Sequence, residues 1–287
     1  RIGLFAGSGV GKSTLLSNLA RGVEADVVVI ALIGERGREL REFVEKTLGT
    51  EGMKRAVIVT ATSDRSPLIR RRCAWAAMAV AEHFRDQGRH VLLLADSITR
   101  FAEAHREIAL AAGEPPSYRG FPPSVSNLIM ALAERAGPGL DGSGDITGIF
   151  SVLVAGSDME EPVADILRGT LDGHVVLDRA IAERGRFPAV DVVRSVSRSL
   201  PDAATPEENA MIAKARGAMG AYAESELMIR AGLYAPGSDP RLDEAVRLYP
   251  QLDDFVALSG NSIAQSFERL SEALRLPPAA RPARRAG

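Results

Sequence analysis

The chain has 287 residues, 35 Lys plus Arg against 37 Asp plus Glu for a net charge of −2, with 46% hydrophobic and 25% charged residues. That composition excludes a largely disordered or fibrous chain, and the near-neutral balance lacks the basic excess that coating nucleic acid demands. The single cysteine, Cys73, closes no intrachain disulfide and fits a reducing compartment. Apolar runs such as Val27 to Ile33 fall far short of the roughly 20 residues that cross a bilayer. The chain opens on Arg1 without a Met and enters an apolar run at once, as a piece cut from a longer protein would.

In chain order, Val- and Ile-rich runs at Ile2–Ala6, Val27–Ile33, Ala56–Ala61, Val91–Ala95, Ile149–Ala155 and Val175–Leu177 predict buried strands. Helical patterns separate them, so the expected fold is α/β, a mainly parallel sheet covered by helices. Leu40, Phe43, Val44 and Leu48 share a helical face that Gly49 is expected to end. Ser66 and Pro67 read as N-cap and first helical residue, followed by a buried stripe of Ile69, Cys73, Ala76, Val80 and Phe84 ending near Gly88. After about Leu200 the strand pattern stops. Pro201 and Pro206 bracket a linker, and Ile212, Ala215, Met219, Tyr222 and Ile229 then follow one helical face that Glu226 breaks. The expected division is an α/β domain over 1–202, a small helical domain over 203–276 and a mobile Pro-, Ala- and Arg-rich tail over 277–287.

The strongest local motif is Ala6-Gly7-Ser8-Gly9-Val10-Gly11-Lys12-Ser13-Thr14, placed between an apolar strand and a helical face of Leu15, Leu16 and Leu19. It has the form of a P-loop, with Ala6 at the first Gly position. Small residues let successive backbone N–H groups turn inward and surround phosphate oxygens at a helix N-terminus. Lys12 supplies a point charge for the β- and γ-phosphates of ATP, and Ser13 a hydroxyl for Mg²⁺. The run Val91–Ala95 ends in Asp96, which fits a Walker B acid holding the metal through water. Glu35 follows the second strand, where a parallel sheet presents its site. From position alone it serves either as the base that orients water or as an acid at the start of the next helix.

Further stretches carry a family resemblance. They are Leu32-Ile33-Gly34-Glu35-Arg36-Gly37-Arg38-Glu39, Asp96-Ser97-Ile98-Thr99-Arg100-Phe101, Arg106-Glu107-Ile108-Ala109 running to Gly113-Glu114-Pro115-Pro116, Leu171-Asp172-Gly173-His174, and Pro188-Ala189-Val190-Asp191-Val192-Val193-Arg194-Ser195-Val196-Ser197-Arg198. Together they resemble the type III protein-export ATPases, relatives of the rotary ATP synthase α and β subunits. Val154-Ala155-Gly156-Ser157-Asp158-Met159 and Glu161-Pro162-Val163-Ala164-Asp165 point to the flagellar branch, with the virulence-type secretion ATPases as the alternative. The resemblance runs from about Ile2 to Leu252.

The resemblance implies a RecA-like P-loop core, a helical C-terminal domain, a ring of six subunits and an N-terminal β-barrel domain that this chain does not include. It assigns Glu35 as catalytic carboxylate, with Arg36 by the phosphates and Arg198 as an arginine finger reaching the neighbouring subunit's nucleotide. Such a finger is worth about 10³–10⁵ in rate, roughly 4–7 kcal/mol of barrier. Phe187 falls where the family stacks a Tyr on adenine, although core packing would also suit a phenyl ring. Tyr234 is a second adenine-edge candidate.

Implied partners are a stator-like regulator, a coiled-coil stalk protein, chaperone–cargo complexes and an export gate, with the protein cytoplasmic and peripheral at the inner membrane. The acidic loop Asp158 to Asp165 resembles the stalk-facing loop of rotary relatives. A non-catalytic ring subunit would lack Glu35. A hexameric helicase would show a nucleic-acid recognition domain, and a rotary synthase subunit would have Thr in place of Gly37. His105 and His174 read as structural, and Arg70-Arg71-Arg72 as a solvated helix face, so no nucleic-acid partner is expected.

Overall fold

The computed structural model describes residues 1–154, 159–258, 260 and 262–275. The expected tail, 277–287, and residues 155–158 of the Val154–Met159 stretch lie outside them. Strands β1 (Ile2–Ala6), β2 (Val27–Ile33), β3 (Ala56–Ala61), β4 (His90–Asp96), β5 (Gly137–Pro138), β6 (Asp145–Leu153), β7 (Gly173–Leu177) and β8 (Val190–Ser197) form one sheet. Its order is β3-β2-β4-β6-β1-β7-β8, with β5 paired to β6. All pairs are parallel except β5–β6 and β7–β8.

The sheet is buried on both faces, which is why its central strands read as unbroken apolar runs. On β1, β2 and β4, Phe5, Val29, Ala31, Leu93 and Ala95 enter one core, and Leu4, Ile30, Leu32, Leu92 and Leu94 enter the other. The first core lies under α4 (Pro67–Arg85), α5 (Ile98–Ala111), α6 (Ser124–Ala133) and α7 (Pro162–Thr170). The second lies under α1 (Lys12–Gly22), the segment after α2 (Gly37–Glu42), and α8 (Arg179–Glu183).

Several expectations shift. Strand β6 begins at Asp145, four residues before the apolar run, because Asp145, Ile146 and Thr147 pair with His90, Val91 and Leu92. The Phe43–Leu48 face is a π-helix rather than an α-helix, so Phe43 and Leu48, five apart, are both buried. Gly49 ends that segment with φ 61°, but the chain re-enters a short α3 (Gly49–Met53) instead of leaving the helix.

The buried stripe of α4 is Cys73, Ala74, Ala77, Met78 and Ala81, while Ile69 and Ala76 are exposed. Rotation of the helix turns small residues to the sheet and lets it sit close, which apolarity counting misses. Cys73 is a core residue as expected, and burial pushes its thiol up to about 11.

The helical unit is α9 (Pro206–Arg230), α10 (Pro240–Ala257) and α11 (Ile263–Ala273). Thr205 and Glu208 form a capping box around Pro206 at the start of α9. Ala215 and Met219 of α9 close on Leu248, Leu252 and Leu270, a core separate from the two that flank the sheet.

Candidate active site

Strand β1 ends at Ala6, and the following loop turns on Gly9 (φ 77°) and Gly11 (φ 85°), conformations that favour glycine. Val10 anchors the loop by burying its side chain in the sheet core, while Ser8, Ser13 and Thr14 stay exposed. Phe187 presents its ring to the loop's end: a Cβ on Gly11 would sit 3.4 Å from Phe187 Cδ1. At 49% exposure this ring is not core packing, which leaves its face open beside the loop. Gly7 and Gly11 are half-buried.

Three charged side chains converge where the strands end. Lys12 Nζ donates to Asp96 Oδ1 and lies 4.0 Å from Glu35 Oε1. Asp96, 6% exposed, also accepts from Ser151 Oγ at 2.6 Å. Ser151 sits on β6, the strand between β1 and β4, so it bridges the P-loop strand and the Asp96 strand. Position alone gives no reason to single it out; its only signal is a hydroxyl inside an apolar run.

Burial raises Glu35 to about 7, helped by the neighbouring Asp96 carboxylate and opposed by Lys12, with a smaller upward push from Glu39. Gly34, with φ 72°, turns the chain so that Glu35 leaves β2 at the strand's end, and a Cβ there would press on Arg100 at 3.2 Å. A cleft of about 330 Å³ opens beside these groups, lined by Ser13, Thr14, Glu35, Asp96 and, from the π-helix, Phe43 and Thr47. Mg²⁺ takes one or two protein oxygens and completes its shell with water and substrate phosphate, a demand that Ser13 and Asp96 fit.

Other candidates lie elsewhere. The Arg36 side chain is 79% exposed and pairs with Glu39 at 3.5 Å. Tyr234, in the turn before α10, donates its hydroxyl to Asp243 in the first turn of that helix. Arg198 stands at the opposite end of the sheet: Ser197 pairs with Gly173, whereas Ala6 pairs with Leu177. At about 3.3 Å per residue those levels are roughly 13 Å apart, so Arg198 does not serve its own P-loop. His105 accepts from Arg71 at 3.1 Å and meets Ser124 Oγ at 2.7 Å; burial and Arg71 hold it below the usual histidine range. Of the acidic loop, Glu160 and Asp165 pair with Arg168 at 3.3 and 2.8 Å, and Asp158 lies outside the described residues.

The ATP synthase alpha/beta family model, nucleotide-binding domain, matches residues 1–197. The chain belongs to that family. Residues 204–272 match the T3SS EscN ATPase C-terminal domain, which carries the type III export resemblance in the helical part of the chain. A flagellum-specific ATP synthase of Caulobacter vibrioides is 52% identical over 96% of the chain and 64% of its own length. The chain thus spans under two thirds of that relative.

Assembled EscN from enteropathogenic E. coli is 43% identical with a TM-score of 0.89, covering 96% of this chain and 66% of that one. EscN in complex with its central stalk EscO is 43% identical with a TM-score of 0.85 over the same shares. Among the described residues, no helix is long and apolar enough to cross a membrane.

Proposed function

We propose that this chain is the ATP-hydrolysing part of a motor subunit in a bacterial type III protein-export apparatus, of the flagellar kind, acting as a homo-hexamer. The observation that carries the reading is the division of the catalytic parts: Lys12, Glu35 and Asp96 meet at one end of the sheet, while Arg198 is held at the other. One copy then cradles the triphosphate and a second copy presents Arg198 to it. The 52% identity to a flagellum-specific relative, against 43% to the EscN structures, favours the flagellar over the virulence-type system.

In this mechanism the P-loop amides from Gly7 to Thr14 hold the phosphates, and Lys12 leaves Asp96 for the β- and γ-oxygens. Ser13 and Asp96, the latter through water, would hold Mg²⁺, which neutralises charge on the transferring phosphoryl group. Glu35, with an affinity for protons near neutrality, orients the attacking water and takes its proton. Phe187 offers its face to adenine, with Tyr234 a lesser contact; Arg36 swings from Glu39 toward the phosphates. The units 1–202 and 203–276 act as nucleotide and helical domains.

A central stalk is the partner best supported, because EscN is found with EscO. A stator-like regulator, chaperone–cargo complexes and a membrane export gate complete the reading, and place the protein peripherally on the cytoplasmic side of the inner membrane.

The test is ATPase rate against concentration for the full-length protein as wild type, Glu35→Gln and Arg198→Ala, alone and mixed. Mixing the two inactive variants is expected to restore activity, because intact interfaces reappear. Absence of recovery, with both variants assembled, overturns the shared site.

A further inference from the structure

Strand β8 reaches Arg198 by way of an arch. Between the pairs Val176–Asp191 and His174–Val196, five residue steps on β8 face two on β7, so Val192 to Ser195 bulge out of the ladder. Bulged backbone loses its ladder partners, and each freed group needs another.

Two of the arch's amides are met locally. Asp191 Oδ1 accepts from Val193 N and Arg194 N, both at 3.0 Å, and Ser195 Oγ donates to Asp191 O at 2.6 Å while accepting from Val176 N. The carbonyls are met from outside. His174 Nε2 meets Arg194 O at 3.1 Å, and the other three converge on a single side chain of the helical unit, Arg216 of α9. Its Nη1 donates to Val192 O at 2.7 Å and Ser195 O at 2.8 Å, and its Nη2 to Val193 O at 3.0 Å. Three residues past the arch, Arg198 N donates to Asp172 O at 2.8 Å.

We propose that Arg216 is a positioning residue for Arg198: by clamping three carbonyls of the β8 arch it sets the phase in which the strand delivers Arg198, and it ties that delivery to the position of the helical unit. This rests on the reading that Arg198 completes a neighbour's site. A flat five-donor guanidinium suits three carbonyls at once, and an ammonium does not. The carbonyls contribute no charge of their own, so the clamp acts by geometry, and misplacing a catalytic group by about 1 Å costs on the order of 10²-fold.

The experiment uses the full-length, ring-forming protein with Arg216→Ala, Arg216→Lys, Arg198→Ala and Glu35→Gln. Arg216→Ala is expected to lower kcat by about 10–100-fold with KM for MgATP within about twofold, and Arg216→Lys to lie between it and wild type. Mixed with Glu35→Gln, Arg216→Ala should regain activity, since its own Glu35 site then meets an intact donor; mixed with Arg198→Ala it should not. Recovery also shows that the Arg216→Ala subunit is folded, and Arg216→Lys enters the same mixtures if alanine prevents assembly. The double variant Arg198→Ala, Arg216→Ala should be no slower than Arg198→Ala. Recovery with Arg198→Ala, or a double variant far below it, overturns the clamp alone. A wild-type kcat in Arg198→Ala overturns the shared site and the clamp together.

Discussion

The two ends of the sheet are built differently. At the P-loop end, buried Asp96 accepts from both half-buried Lys12 and buried Ser151, and Glu35 is pressed into the same space. At the Arg198 end, an edge strand bulges, Val193 and Val196 are exposed, and order comes from hydrogen bonds to backbone. A site whose charges are already compensated stands ready within one chain. Arg198 remains exposed; its guanidinium donates to Arg168 O at 3.4 Å and meets no counter-charge among the ion pairs of the described residues, as the proposed role toward another chain's ligand requires.

The steepest separation of the two ends comes from Arg198→Ala, expected to cost about 10³–10⁵ in kcat of the assembled ring. Nucleotide affinity of the isolated chain, measured by fluorescence titration, should not change. Glu35→Gln comes next, at about 10²–10⁴ in kcat, with the concentration dependence of assembly unaltered in sedimentation.

Ser151→Ala strikes the buried end structurally. It removes a hydrogen bond to a charged group worth about 1.5–3 kcal/mol, read from urea unfolding, while Arg198-dependent complementation persists.

A smaller effect reports the compression of Glu35. Its carboxyl titrates at about 7 in the folded chain against an ordinary 4.5, so between those values the folded state binds more protons and stability falls as pH rises. Thermal scans of the nucleotide-free chain should therefore show Glu35→Gln melting above wild type near about pH 8, the gap closing toward about pH 4.5. Equal melting at both pH values would mean Glu35 is not desolvated. The smallest effect is Phe187→Tyr, which keeps the ring face and should move KM for ATP by less than about twofold.

Much of the buried end is legible in the amino-acid sequence. Small residues ahead of Lys12-Ser13-Thr14 announce a phosphate loop because the chemistry demands neighbouring residues in fixed order, and Asp96 closes an apolar run. Ser151 is not legible there, because its role depends on β6 lying between β1 and β4, a non-local fact of strand order. The α4 stripe departs from its apolar pattern for a related reason: the sheet selects small residues over large apolar ones. The arch of β8 leaves no apolar pattern to read, since half its residues are exposed.

The amino-acid order alone determined which atoms are available: the turn-permitting glycines, the lysine and hydroxyl beside them, the acids at strand ends and a guanidinium after Ser197. Tertiary structure decided what those atoms do, by bringing Glu35, Lys12 and Asp96 within reach, setting Arg198 roughly 13 Å down the sheet, and laying Arg216 across the arch. The physical reason is that strand composition specifies burial, whereas distance between groups far apart in sequence is set by strand order and register, which no local pattern encodes.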